Sequence, residues 1–252
     1  MAQNDNPKSA PRMKIEILKD GPYYVSGGVP LVHKTQIVSE HGEPLTWKKD
    51  GPIECETEYK LCRCGQSSTM PFCDDTHLLI GFDGSMRADT GPRAPYPKER
   101  LAAFRAKQKI YVEKNNSLCM SSGFCGFQNA DWFDLMARSE DSQVRSLLIA
   151  MVERCPSGSL SYRFGPAEPP LEPDLPIQIA DTTEITDDGP IAGPLWVTGG
   201  IEIVRSDGVP FEPRNRVTLC NCGKSGNKPL CDGMHRAIAE REARLRRKSG
   251  AK

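Results

Sequence analysis

The chain has 252 residues and equal numbers of basic and acidic side chains, 33 of each, so its summed charge gives no electrostatic footprint for nucleic acid. No apolar run approaches the ~20 residues of a membrane helix. The start, MAQNDNPKSAPRMK, has neither an apolar signal core nor a transit-peptide composition, so a cytoplasmic protein with no membrane contact is expected. Its 22 glycines and 21 prolines point to turns and short strands around small cores, an α+β, strand-rich fold class. With no export signal, ten cysteines suggest metal binding before disulfides.

In chain order, residues 13–80 form a first unit. Tyr23-Tyr24-Val25 is β-prone, a Gly-Gly turn follows, and Val29–Val32 reads as a second strand. The glycine- and proline-punctuated segment CRCGQSSTMPFCDDTH occupies 62–77. Asp74 is placed to cap a short helix starting near His77. Residues 81–107 read as a linker, with GPRAPYPKER ahead of a short amphipathic stretch. A middle unit, 108–166, opens with a strand at Lys109–Glu113. Its Val144, Leu147, Leu148, Met151 and Val152 recur at helical spacing, predicting a helix over Asp141–Arg154. Leu160–Phe164 reads as a closing strand. The proline-rich, acidic stretch 167–189 is expected to be an extended linker.

The last unit, 190–240, repeats the first. GPYYVSGGV (21–29) returns as GPLWVTGGI (193–201), and 62–77 returns as CNCGKSGNKPLCDGMH (220–235). The two offsets, 172 and 158 residues, leave 14 extra residues in the first copy. Ser39–Cys55, rich in charge and turn formers, is where they are expected, as a surface loop. Asp232 repeats the capping position of Asp74. A basic tail, 241–252, closes the chain; from Arg236 onward it holds seven basic and two acidic residues and is expected to be helical and solvated.

Both copies have the pattern Cys-x-Cys, eight residues, Cys, three residues, His. Candidate ligands are Cys62, Cys64, Cys73 and His77 for one site, and Cys220, Cys222, Cys231 and His235 for the other. Thiolates with one imidazole suit a thiophilic ion. Two of only four histidines fall at equivalent positions. Cys₃His is also a structural zinc set, but zinc pairs usually separate their cysteines by two to four residues. A single intervening residue suits two thiolates on one iron, with Cys73 and His77 on a second.

The motif C-x-C-x2-[ST]-x3-P-x-C-D-G-x-H resembles the CDGSH (NEET) iron–sulfur family. Ser68, Pro71, Cys73, Asp74 and His77 carry the resemblance in the first copy, with Asp75 where glycine is usual. Ser225, Pro229, Cys231, Asp232, Gly233 and His235 carry it in the second, with Met234 replacing a small residue. The resemblance implies one [2Fe–2S] cluster per copy, with a solvent-accessible histidine on its outer iron. It also implies paired cluster-binding units. Here the two copies are expected to pair internally as a pseudo-dimer, giving a monomer rather than an obligate homodimer, with the middle unit to one side.

In the middle unit, Cys119 and Cys125, then Cys155-Pro156 after the helix, resemble the ligand pattern of single-cluster ferredoxins. LCMSSGFC and ERCPSGSLSY are similar to the divergent monocluster ferredoxin domain that accompanies CDGSH repeats. Cys119, Cys125 and Cys155 are candidate ligands of one [3Fe–4S] cluster, or of a [4Fe–4S] cluster if a fourth ligand exists; Ser121 stands where relatives carry histidine. Cys55, His33 and His41 fall outside every pattern. GKS at 223–225 fails as a phosphate loop because Thr218 occupies the position of its first glycine.

No catalytic triad, nucleotide loop or acid–base pair is evident, so no enzyme activity is expected. The leading expectation is one-electron transfer to an unknown redox partner protein. The alternatives are cluster storage, transfer or redox sensing, and a structural zinc protein.

Overall fold

The computed structural model describes residues 12–89, 108–128, 130–165 and 167–249. Most of the expected 81–107 linker lies outside the described residues. The first copy contributes β1 (Lys14–Ile17), β2 (Tyr23–Ser26), β3 (Leu31–Val38), β4 (Pro44–Pro52), β5 (Tyr59–Leu61) and a single helical turn, α1 (Thr76–Leu79). The middle holds β6 (Tyr111–Lys114), a 3-10 turn (Asn116–Leu118), β7 (Gly126–Phe127), β8 (Ala130–Asp131), α2 (Trp132–Ala137), α3 (Ser142–Arg154) and β9 (Leu160–Arg163). The second copy supplies β10 (Gln178–Thr186), β11 (Gly189–Thr198), β12 (Glu202–Val204), β13 (Arg216–Leu219) and α4 (Met234–Ser249).

The two copies are interleaved. One sheet runs β12-β1-β2-β5 and the other β13-β11-β10-β3-β4, so each takes in strands of both copies. The crossovers are parallel: β1 aligns with β12 through Ile15↔Ile203, and β10 with β3 through Ile179↔Leu31. Within each copy the order is matched, β2 between β1 and β5, β11 between β10 and β13. One apolar core lies between the sheets, built from Ile15, Tyr23, Val25, Leu61, Ile179, Leu195, Val197 and Leu219. Alternation along each strand sends these residues to the shared face, so neither copy completes its core alone.

Two expectations are corrected. Residues 178–186 of the supposed 167–189 linker form β10, which is hydrogen-bonded on both sides inside the five-stranded sheet. The prolines and acids around it obscured a strand buried on both faces, Ile179 on one and Ala180, Thr182 and Glu184 on the other. The 14 extra residues of the first copy include β4, which pairs with β3 as an edge strand instead of forming a loop. The basic tail is helical as far as Ser249, but it continues from the helix that starts at Met234.

In the middle unit, β6 and β9 pair antiparallel, with Val112 opposite Tyr162. Helix α3 matches its predicted span and packs Leu148, Met151 and Val152 into this unit's own core. Asp141 caps it, accepting a hydrogen bond from the Gln143 amide at 2.8 Å. The unit does not stand to one side. Its loop 119–128 reaches both copies: in the first, the Gln36 side chain donates to the Ser122 carbonyl at 3.2 Å and the Trp47 ring lies tilted 5.7 Å from that of Phe124, and in the second a Cβ on Gly233 would lie 2.7 Å from the Met120 carbonyl oxygen.

Candidate metal centres

In the first copy, β5 runs straight into Cys62. The Cys62 amide donates to the Pro71 carbonyl at 2.8 Å and the Cys73 amide to the Lys60 carbonyl at 3.0 Å, so both ends of the ligand loop are stitched together. The second copy repeats both bonds at the same distances, Cys220 to Pro229 and Cys231 to Thr218. A serine holds each turn: Ser67 donates to the Phe72 carbonyl and Ser225 to the Leu230 carbonyl, both at 2.7 Å. Ser67, not Ser68, is therefore the counterpart of Ser225. Ser68 instead donates its amide and hydroxyl to Asp74, each at 2.8 Å.

Asp74 and Asp232 tie each loop to its following helix. Asp74 also accepts from the Thr76 amide at 3.1 Å. Asp232 accepts from the amides of Gly226 at 2.7 Å and Met234 at 3.0 Å. Hydrogen bonds from Ser68, its amide foremost, and from Thr76 hold the Asp74 carboxyl well below the usual carboxylate range.

The donors fall into pairs. Cys62 and Cys64 sulfurs are 3.7 Å apart, and those of Cys220 and Cys222 are 3.6 Å apart. Cys73 Sγ lies 3.4 Å from His77 Nδ1, and Cys231 Sγ 3.4 Å from His235 Nδ1. Two sulfurs at about 2.3 Å from one tetrahedral metal stand about 3.8 Å apart, and a sulfur and an imidazole nitrogen about 3.6 Å. Each pair therefore has the bite of one metal. Among the described residues the single trio of metal-type donors whose atoms all lie within 4.8 Å is Cys73, Asp75 and His77. Neither four-donor set closes around one ion, which is what a mononuclear zinc site would require. The donors fit a group with two metals, one per pair.

Burial pushes the thiols of Cys64, Cys73 and Cys231 up. Cys220 goes the other way, downward, because the Cys222 thiol and then the amides of Ser225, Gly223 and Cys222 stabilise its thiolate against burial. The Gly233 amide points at Cys231 Sγ from 3.4 Å. A bound cation would stabilise the remaining thiols as thiolates.

Both histidines are buried, His77 at 8 % and His235 at 5 % of full exposure. This corrects the expected solvent-accessible ring. His77 sits beside the Gly21 turn, where a Cβ would lie 3.6 Å from its Nε2. His235 packs against β10. There Nε2 is 3.2 Å from Oε1 of Glu184, a carboxylate with no exposure at all. At the glycine position, Asp75 adopts a left-handed φ of 66°, close to the 88° of Gly233, so the departure keeps the backbone and adds a carboxylate 3.9 Å from Cys73 Sγ.

The two loops touch. A Cβ on Gly65 would lie 2.4 Å from the Cys222 carbonyl oxygen, and one on Gly223 would lie 2.3 Å from that of Cys64. Tyr23, fully buried, crosses between copies and donates to the carbonyls of Cys220 at 2.7 Å and Pro229 at 3.1 Å.

The middle cysteines adjoin the second loop. Cys155 is buried while Cys119 and Cys125 are half-buried. Burial pushes the Cys125 thiol up, Lys114 offsets it, and Cys119 and Cys155 add to it, so the three thiols share one electrostatic neighbourhood. Next to Cys119, the Met120 carbonyl oxygen would lie 2.7 Å from a Cβ on Gly233, and Asn227 donates to the Ser117 carbonyl at 2.6 Å. Arg216, 2 % exposed, crosses from β13 to the end of α3. It donates to the carbonyls of Val152 at 3.0 Å, Glu153 at 2.6 Å and Leu160 at 3.1 Å, on both sides of Cys155. Cys55 and His41 are exposed and away from the donor sets, and His33 pairs with Asp181 at 3.4 Å.

Sequence reading missed Glu184, Arg216 and Tyr23. None stands at a ligand position: Tyr23 reaches across from the first copy, Glu184 comes from the β10–β11 hairpin, and Arg216 crosses from β13 into the middle unit.

Comparison with known protein families matches residues 20–78 and 192–236 to the iron-binding zinc finger of CDGSH type. Residues 106–164 match the divergent 4Fe-4S mono-cluster family. No curated protein and no solved structure matched the chain.

Proposed function

The chain is a tandem CDGSH-type iron–sulfur protein with a divergent 4Fe-4S mono-cluster domain between its copies, and from that premise we propose that it carries single electrons. In this reading Cys62, Cys64, Cys73 and His77 hold one [2Fe–2S] cluster, and Cys220, Cys222, Cys231 and His235 hold another. Cys119, Cys125 and Cys155 hold a third cluster, [3Fe–4S] or [4Fe–4S]. Each bound cluster supplies reversible one-electron chemistry, and an imidazole in place of a thiolate raises the potential above that of an all-cysteine plant-type centre.

The observation that carries the proposal is contact between all three ligand loops. Gly65 and Gly223 bring the Cys64 and Cys222 backbones together, and Gly233 brings the second loop against Met120. Buried Tyr23 and Arg216 brace these contacts. Such a chain of sites suits passage of an electron along one molecule, from or to a redox partner protein. Burial of both histidines limits access of water and acceptor proteins to the ligands, which favours a carrier over a cluster donor. Sharing of both sheets by both copies supports a monomer with internal pairing. Among the described residues no helix is long and apolar enough to cross a membrane.

Stepwise anaerobic reduction followed by EPR and visible absorption tests the proposal. A carrier gives reversible one-electron signals from each cluster and hands little iron to an apo-acceptor. Rapid, complete handover of clusters to the acceptor would replace this reading with cluster donation.

A further inference from the structure

The two CDGSH-type sites differ in one respect that their motifs do not record. Beside His235 Nε2 lies Glu184 Oε1, at 3.2 Å, and among the described residues each of these buried atoms has the other as its polar neighbour and no hydrogen bond to any third group. Glu184 has no exposure, and its other oxygen meets Nε of Arg236, the residue following the histidine. Among the described residues no ion pair is made by His77. The asymmetry has a topological origin. The β1–β2 connection is a tight turn closed by the Leu18 amide on the Pro22 carbonyl at 3.0 Å. The β10–β11 hairpin instead extends to a Thr186↔Gly189 pair. Glu184 sits on that extension, paired with Ile191, with no counterpart in the first copy.

We propose that Glu184 is a positioning residue that makes the second CDGSH-type site the tighter and lower-potential of the two. This rests on the reading that His235 is a cluster ligand. A buried carboxylate is costly unless paired, and here one side is paired by Arg236. The other faces the ring nitrogen that does not point at Cys231. An Nε2–H directed at Glu184 leaves the Nδ1 lone pair free to bind metal, and the carboxylate makes that nitrogen a better donor. The added negative charge also disfavours uptake of an electron by this site. His77 has no such support, so the first site is the one that exchanges first and reduces first.

The test uses the full-length, cluster-loaded chain and Glu184→Gln, which keeps the shape and removes the charge. Chelator-driven bleaching of the wild type should be biphasic, one phase per CDGSH-type site. In E184Q the slower phase should quicken about 10–100-fold, the usual loss when a carboxylate behind a metal-binding histidine is removed. The faster phase should hold. The potential of one [2Fe–2S] centre should rise while the other stays fixed, a shift that a merely structural role would not produce. Arg236→Gln, which leaves the carboxylate in place but unclamped, should quicken the same slower phase by a smaller factor. In a His235→Cys background E184Q should no longer quicken release.

Unchanged kinetics and potentials in E184Q, with full iron and sulfide content, would overturn the role of Glu184 alone. Wild-type chain without acid-labile sulfide would overturn the cluster assignment beneath it. If E184Q does not fold, the Arg236→Gln result decides: altered release from one site supports the proposal, and two unaltered phases refute it.

Discussion

Gly65 stands directly against Cys222: a Cβ at Gly65 would come within 2.4 Å of the Cys222 carbonyl oxygen. Gly223 and Cys64 repeat the contact from the other side, and both glycines have left-handed φ, 75° and 73°. At this point the two ligand loops meet backbone to backbone, and no side chain fits between them.

Gly65→Ala or Gly223→Ala should therefore affect both CDGSH-type sites, though each alters one loop. Left-handed strain and overpacking each cost about 1–3 kcal/mol. Equilibrium denaturation should register a loss of roughly 3 kcal/mol, and iron analysis should show depletion at both sites. Depletion confined to the mutated loop would mean that the contact is incidental.

Arg216→Leu should empty the middle site selectively. The substitution removes the Arg216 donor from the Glu153 and Leu160 carbonyls, leaves that of Val152 with the Cys155 amide alone, and unpairs Glu172, at about 1–3 kcal/mol for each buried group left unsatisfied. Because those carbonyls flank Cys155, sulfide and iron should fall by the third cluster's share while the [2Fe–2S] absorption persists.

Tyr23→Phe removes a buried hydroxyl that serves two carbonyls of the second ligand loop. A stability loss of about 1–2 kcal/mol is expected, with faster chelator release from the second site although the substitution lies in the first copy. Release kinetics of the two sites, compared with wild type, measure this directly.

Lys34 gives a pH signature. Its Nζ lies 4.0 Å from the Trp196 ring centroid, and burial, then Lys49, pushes its ammonium down to about 8. An unperturbed lysine titrates near ~10.4, so between about pH 8 and 10.4 the unfolded chain binds more protons than the folded one. Stability then rises with pH across that window. The contribution is complete above it and lost below about 8. Lys34→Met should be more stable than wild type at pH 7, and that advantage should shrink toward pH 10. A constant difference would contradict the shift.

The donor pairs were legible in the sequence because their spacing is local: one intervening residue sets Cys62 beside Cys64, and a three-residue turn into α1 sets His77 beside Cys73. Helix α3 was legible from its apolar spacing. Strand β10 was not, because Pro173 and Pro176 precede it and Asp181 and Glu184 punctuate it. Its burial is created by β3, 148 residues away at the Ile179↔Leu31 pair. The same strand hid Glu184, and with it the burial of His235. Exposure of the histidines was an expectation about surroundings, and these come from the β1–β2 turn at Gly21 for His77 and the long β10–β11 hairpin for His235. Arg216 was unreadable for a related reason: its three acceptors belong to a different unit.

Quantifying iron and acid-labile sulfide together with EPR on anaerobically purified full-length chain tests the central claim most directly. The account predicts two [2Fe–2S] centres and a third [3Fe–4S] or [4Fe–4S] signal in one molecule. Protein holding zinc with no acid-labile sulfide would contradict it.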